Sequence, residues 1–319
     1  MILPKEVPRM QSPFPASMSN YVSGQIAKIE DERRRAAELA AAYAATDIFA
    51  GIDGTGVFND RQYQLEFQNS FVNRMYREWD TPAKFYRRGP SIDGVATANL
   101  AFTAFEQVHK LYRQKADKPK RIFLAGYSRG GAAVVKTCDL LQDRGIPVDG
   151  LFLFDAVDRA VLITPNFIPK NVRHCFHARR DPRANSRNSF GSYGTKFHRG
   201  VTTYQERFFN CTHGGMGGVP WLVADPDGYI NEAENINLGK PVLQSPLARA
   251  LALTNPATAS LVISEHLAHQ GNNAYRAAGR TRITLQQDKT GSAEVGQWMF
   301  GALKKLRQDL AATAHVPTS

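Results

Sequence analysis

From residue 47 onward, short apolar runs alternate with longer amphipathic stripes. Ile48-Phe49-Ala50-Gly51-Ile52 predicts a buried strand, and Asp53-Gly54-Thr55-Gly56 follows it at once. Residues 60–80 are polar and aromatic and predict helix. From Thr97 to Gln114 apolar side chains recur at intervals of three and four (Phe102, Phe105, Val108, Leu111, with Leu100 beside them), which predicts a helix with one buried face. Lys118-Pro119-Lys120 breaks it. Arg121–Ala125 reads as a strand and Gly131–Gln142 as a helix ended near Gly145-Ile146-Pro147. Further strands are predicted at Leu151–Phe154, Val172–Phe176 and Arg207–Phe209. Strand, helix and strand in alternation specify an α/β fold, a mainly parallel sheet flanked by helices. After Val219 the chain is rich in Asn, Gly and Pro and reads as an irregular, cap-like C-terminal region. A last helix is predicted from Ala293 to Ala312, with Val295, Trp298, Leu303 and Leu306 on one stripe.

Ahead of this pattern the character changes. Residues 1–18 are rich in Pro, Ser and Met and read as an irregular arm. Asn20 to Ala45 is Ala-rich, with the charge block Glu30-Asp31-Glu32-Arg33-Arg34-Arg35, and predicts a helix. The expected organisation is an arm and helix over 1–46 and a single α/β domain over 47–319.

Composition narrows the picture. The chain has 319 residues, 43% of them hydrophobic, which suffices for one large core. No repeat and no long apolar run suggests a solenoid or a membrane span. The first residues hold no continuous apolar region of the signal-peptide kind, so synthesis in the cytoplasm and export only by a non-Sec route are expected. Cys138, Cys175 and Cys211 have neither disulfide nor metal spacing and read as buried thiols. The formal net charge is +11. No zinc-finger or RNA-binding pattern accompanies it, so no nucleic-acid partner is expected; an anionic membrane surface is the specific alternative to plain solubility.

Gly126-Tyr127-Ser128-Arg129-Gly130 fits G-x-S-x-G between a predicted strand and a predicted helix. That context is a nucleophile elbow: a strained turn holds the serine hydroxyl clear of the backbone, and glycines let neighbouring chain pass close. Ser128 is the candidate nucleophile. A serine hydroxyl needs a base. Among the downstream histidines, His174 and His177 lie in or at the end of a predicted strand, His198 in a basic loop, His266 and His269 in a helical stretch, and His315 in the tail. His213 follows an apolar strand and opens a Gly-rich loop, where a base that swings over the sheet edge belongs. Three carboxylates compete for the acid. Asp155 closes Leu151–Phe154, Asp158 resembles a helix-start residue, and Asp181 follows the next strand between arginines that suggest a surface ion pair.

Two backbone N–H groups must meet the oxyanion. The Arg129 amide is one, and the loop carrying Gly54 and Thr55 is placed to supply the other. The glycine spacing there is not a dinucleotide fingerprint, and no P-loop Gly-Lys-Ser/Thr follows. No cofactor or metal is expected.

Four segments together, Ile52–Gly56, Gly126–Gly130, Phe152–Val157 and Thr212–Gly218, resemble an α/β-hydrolase family long labelled a domain of unknown function. It includes the phospholipase effectors of bacterial type VI secretion. Phe85–Gly94 and Val295–Met299 are similar to further stretches of it. The resemblance covers roughly 47–218. It implies Ser128 as nucleophile, Asp155 as acid and His213 as base, with Asp181 as the alternative acid. It also implies a phospholipid or other ester substrate, delivery to a rival cell's periplasm, and an immunity or secretion-apparatus partner. Gly214-Gly215-Met216 departs from the family, which usually has a small polar residue and an Asp there. The alternatives are a soluble carboxylesterase or thioesterase without a toxin role, and a non-enzymatic member of the fold.

Overall fold

The computed structural model describes residues 24–34, 47–56, 59–90, 96–114, 120–157, 166–233 and 278–313. The chain divides into two units, Met1–Ala45 and Thr46–Ser319. In the first, residues 24–34 form helix α1, with Arg34 paired to Asp31 one turn away. The remainder of the arm and of the predicted 20–45 helix lies outside the described residues.

The second unit is built on six parallel strands: β1 (Asp47–Ile52), β2 (Lys84–Arg87), β3 (Arg121–Tyr127), β4 (Val148–Phe154), β5 (Val172–Arg180) and β6 (Thr203–Phe209). Their order is β2-β1-β3-β4-β5-β6. The helices are α2 (Asp60–Phe67), α3 (Phe71–Glu78), α4 (Ala96–Arg113), α5 (Arg129–Gln142), the short α6 (His213–Met216) and α7 (Leu285–Thr313). This is an α/β-hydrolase-like architecture.

The two-residue alternation of the strands sorts the core into two chemistries. Ile48, Ala50, Ile52, Ile122, Leu124, Leu151 and Leu153 pack with Ala101, Ala104 and Val108 of α4 and with Val134, Cys138 and Leu141 of α5. The intervening Phe49, Phe123, Phe152 and Phe154 pack on the opposite face with Phe71, Val72 and Met75 of α3 and Val295, Met299 and Leu303 of α7. Full burial of such side chains contributes about 1.5–3 kcal/mol each. Both faces being covered explains why the central strands read as continuous apolar runs.

Several elements differ from the sequence expectation. The stretch 60–80 is two helices, because Ser70 caps α3 by accepting the Asn73 N–H at 3.2 Å. Phe102 of α4 is 49% exposed. The buried face carries Ala101 and Ala104 instead, and these small residues admit α5, whose Thr137 hydroxyl donates to the Ala101 carbonyl at 3.1 Å. Strand β2 was not expected. It is a short edge strand with no apolar run, and its Lys84 ammonium donates to the Tyr76 and Trp79 carbonyls at 3.0 and 2.9 Å. Helix α7 begins at Leu285, not Ala293, because its first turns are polar. The C-terminal region read as irregular contains β7 (Tyr229–Ala233) and β8 (Ala278–Thr284), which pair antiparallel as a separate sheet. Cys138, Cys175 and Cys211 are buried thiols. Among the described residues no helix is long and apolar enough to cross a membrane.

Candidate active site

Ser128 sits between β3 and α5 with φ +56° and ψ −126°. That is left-handed backbone, where a residue bearing a Cβ is strained. The strain is held from several sides. The Ser128 N–H donates to the Phe154 carbonyl at 3.0 Å, and the Ser128 carbonyl accepts the N–H groups of Gly131 and Val157 at 3.0 and 3.3 Å. The glycines of the motif are steric necessities. A Cβ on Gly126 would lie 2.5 Å from the Gly130 carbonyl oxygen, and one on Gly130 would strike the Ile52 and Asp53 carbonyls. The start of α5 thus lies directly against the end of β1.

Three strand ends bring Ser128, His213 and Asp155 together. His213 follows β6 as the first residue of α6, and its Nε2 lies 2.9 Å from Ser128 Oγ. Its Nδ1 lies 2.7 Å from Asp155 Oδ2. Asp155, just past β4, has φ +45° and donates its N–H to Ala178 at 2.7 Å. All three side chains are buried. Asp181 is elsewhere: its carboxylate accepts the Arg183 N–H at 2.8 Å and pairs with the Arg183 guanidinium. Asp158 lies outside the described residues.

Arg180, the last residue of β5, was not singled out by sequence. Its guanidinium pairs with Asp155 Oδ2 and also donates to the carbonyls of Ser186 at 2.8 Å, Arg187 at 3.0 Å and Gly191 at 3.3 Å. The signal was the alternation Phe176, Ala178, Arg180, which turns Arg180 to the same side as Phe176 once β5 is extended past it. Burial alone would push the Asp155 carboxyl up. The Arg180 cation and the His213 hydrogen bond more than reverse this and hold it well below the usual carboxylate range. Burial pulls the His213 imidazole down to about 4, against the Asp155 hydrogen bond and charge; Arg180 and Arg187 add to the fall. At neutral pH the imidazole is therefore uncharged and able to take a proton from Ser128, while Asp155 is ionised.

The loop that carries His213 is fastened by distant residues. Asp288, in the first turn of α7, accepts the Thr212 N–H at 2.7 Å, the Thr212 hydroxyl at 2.8 Å and the Trp221 N–H at 2.9 Å. The His213 N–H donates to Ser186 Oγ at 2.8 Å, and that hydroxyl donates to Glu232 of β7 at 2.6 Å. The Tyr127 hydroxyl donates to the His213 carbonyl at 2.8 Å, and Phe190 meets the imidazole edge-on at 5.2 Å.

Of the residues proposed for the oxyanion, Arg129 opens α5 directly after Ser128, and its Nη1 donates to Thr55 Oγ1 at 3.4 Å. Gly54 is a correction: its N–H already donates to Asp53 Oδ1 at 2.9 Å. An amide so occupied has no proton to offer a substrate, which leaves Thr55 as the candidate donor of that loop. The other histidines stand apart. His177 is buried with Nδ1 3.1 Å from the Tyr204 hydroxyl, and burial lowers it to about 3. His174 is half-buried on β5, and His198 lies against Phe167 at 5.2 Å. His266, His269 and His315 lie outside the described residues. Among the described residues no group of three or more His, Cys, Asp or Glu could hold a metal ion.

No protein-family model matches the chain, and no curated protein sequence does either. Among solved structures the chain is similar to an uncharacterized protein from Pseudomonas aeruginosa, at 14% identity and a TM-score of 0.34, over 90% of this chain. It spans about half the length of that protein, 54%. It is also similar to RedJ, a thioesterase from the prodiginine biosynthetic pathway in Streptomyces coelicolor, at 14% identity and a TM-score of 0.30, over 56% of this chain and 82% of that one.

Proposed function

We propose that the protein is a serine hydrolase of carboxylic esters. The observation that carries the reading is the continuous relay from Ser128 Oγ through His213 to Asp155, at 2.9 and 2.7 Å, on a strained elbow. In the proposed reaction Ser128 Oγ attacks the acyl carbonyl as its proton passes to His213 Nε2. The Arg129 and Thr55 amides receive the oxyanion. The bond to the leaving alcohol breaks as His213 returns the proton to it, leaving an acyl ester on Ser128. Water then attacks that ester, with its proton taken by His213 and returned to Ser128 Oγ, and the carboxylic acid leaves. Asp155 stays ionised throughout and stabilises the imidazolium.

Within that class we take the substrate to be a lipid acyl ester, with a phospholipid as the preferred case. Support comes from the family resemblance, the net charge of +11 and the exposure of Leu222 and Val223, 87% and 73%, on the loop that Asp288 fastens at Trp221. Each cation near an anionic membrane contributes about 1 kcal/mol. The test is incubation with anionic vesicles, neutral vesicles and short soluble esters or thioesters, with products identified by mass spectrometry. Faster release of fatty acid from anionic vesicles supports the lipid reading; turnover of soluble esters alone selects an esterase or thioesterase instead. The resemblance extends the proposal to an antibacterial effector blocked by a dedicated partner. Growth arrest on expression with an added periplasmic signal, absent in Ser128→Ala, is the expected result.

A further inference from the structure

Asp53 closes β1 beside the elbow and is fully buried, yet no step above uses it. A buried carboxylate is costly unless its oxygens are hydrogen-bonded. Here they are. Oδ1 accepts the Gly54 N–H at 2.9 Å, and Oδ2 accepts the Tyr86 hydroxyl at 2.9 Å and the Ser70 hydroxyl. The other end of the same residue is also held: the Tyr63 hydroxyl donates to the Gly54 carbonyl at 2.7 Å while accepting the Gly89 N–H at 2.9 Å. Gly54 is thus held at its N–H by Asp53, whose carboxylate is anchored from β2 and the cap of α3, and at its carbonyl by Tyr63 of α2. A Cβ there would run into the Tyr127 ring. The gripped loop touches the nucleophile turn, since Gly130 lies against the Ile52 and Asp53 carbonyls and Arg129 reaches Thr55.

We infer that Asp53 is a positioning residue for the oxyanion, its ionised carboxylate fixing the Gly54 peptide so that the Thr55 amide is held beside the turn at Ser128 and Arg129. This rests on the hydrolase reading and deepens it. Burial lifts Asp53 to about 6, opposed by the hydrogen bonds from Ser70, Gly54 and Tyr86. The groups facing it are Tyr63 from α2, Tyr86 from β2 and Tyr127 from β3, with Arg88 over the Tyr63 ring at 4.1 Å and paired with Asp60. Burial pushes all three phenols up, so they keep their protons near neutrality and Asp53 is the member of this group that changes charge there. Once protonated, Oδ2 can no longer accept both hydroxyls, and the grip on Gly54 loosens. Turnover is therefore full above about pH 6 and declines below it, separately from the lower limb set by His213 near 4.

The test uses the full chain, a soluble ester, and a trifluoromethyl ketone that forms an oxyanion on Ser128. In Asp53→Asn, kcat is expected to drop roughly 100-fold with KM unchanged, the limb near 6 to vanish, and ketone affinity to weaken in parallel. In Tyr86→Phe, which removes one donor, the drop is smaller and the limb moves to higher pH. A merely structural role would lower thermal stability without moving the limb. Parental kcat, or a retained limb near 6, in folded Asp53→Asn overturns the inference; should that variant not fold, an unchanged kcat and limb in Tyr86→Phe does so. Fluorophosphonate labelling of the parent separates the two claims. No adduct on Ser128 removes the hydrolase reading and this inference with it, whereas an adduct with unaffected variants removes this inference alone.

Discussion

Replacing Arg180 with Met keeps the side chain's length and apolar stem but removes its guanidinium. The Asp155 carboxylate is then left with His213 Nδ1 at 2.7 Å and a long bond from the Arg180 N–H at 3.4 Å. The carbonyls of Ser186, Arg187 and Gly191 lose their shared donor. Breaking one side of a buried ion pair costs about 3–5 kcal/mol, because the remaining charge is uncompensated. For a domain of this size each kcal/mol lowers Tm by about 2–4 °C, so a fall on the order of 10 °C is expected in a thermal melt at pH 7. The sign with pH follows from the depressed Asp155 carboxyl. The stabilisation it contributes is present above the ordinary carboxylate range and is lost as pH falls through its folded value, so parent and variant converge in strong acid. Catalysis reports the same loss. Arg180 helps hold the His213 imidazole down at about 4, so without it the lower acid limb of kcat/KM moves to higher pH. A melt within a degree of the parent's, with the limb unmoved, would refute the assignment of Arg180 as the counter-ion of Asp155.

Asp155→Asn is expected to lower kcat about ten-thousand-fold by upsetting the histidine tautomer, while Asp181→Asn stays near the parent in the same ester assay. Gly130→Ala forces a Cβ into the Ile52 and Asp53 carbonyls and is expected to destabilise by about 3 kcal/mol in urea unfolding, the upper part of the overpacking range. An alanine variant as stable as the parent would show that β1 and the elbow can separate freely.

What sequence could and could not reveal follows from where each interaction is encoded. Ser128, Asp155 and His213 were legible because each sits at the end of an apolar strand, and a parallel sheet gathers such ends along one edge. The glycines around Ser128 were legible because close backbone approach tolerates nothing larger. Arg180 was not legible because the apolar run ends at Phe176 while β5 continues to Arg180, so the sequence pattern leaves the arginine in a loop. Ser186, Glu232 and Asp288 reach the His213 loop from a turn, an antiparallel strand and the start of α7, and no local pattern links them. Likewise β7 and β8 pair across residues 234–277, so neither strand announces its partner. On α4 the predicted stripe holds at Val108, which is buried, and at Leu100, Phe105 and Leu111, which pack against the core, but Phe102 is exposed, and Ala101 and Ala104 take the contact with α5 because their small size lets the helices approach. The Asp53–Gly56 loop reads from sequence as the source of the second oxyanion donor, but the hydrogen bond that engages the Gly54 amide depends on a side-chain rotamer that sequence does not specify.

The central claim is that Ser128 forms a covalent acyl intermediate. The direct measurement is acid-quenched mass spectrometry of the protein mixed with an activated ester, mapped to peptides, alongside steady-state turnover of the parent and Ser128→Ala. The account predicts an acyl group on the peptide containing Ser128, absent in Ser128→Ala, and a loss of turnover on the order of a million-fold. Turnover at the parental rate in Ser128→Ala, or an acyl group mapped to another residue, would contradict it.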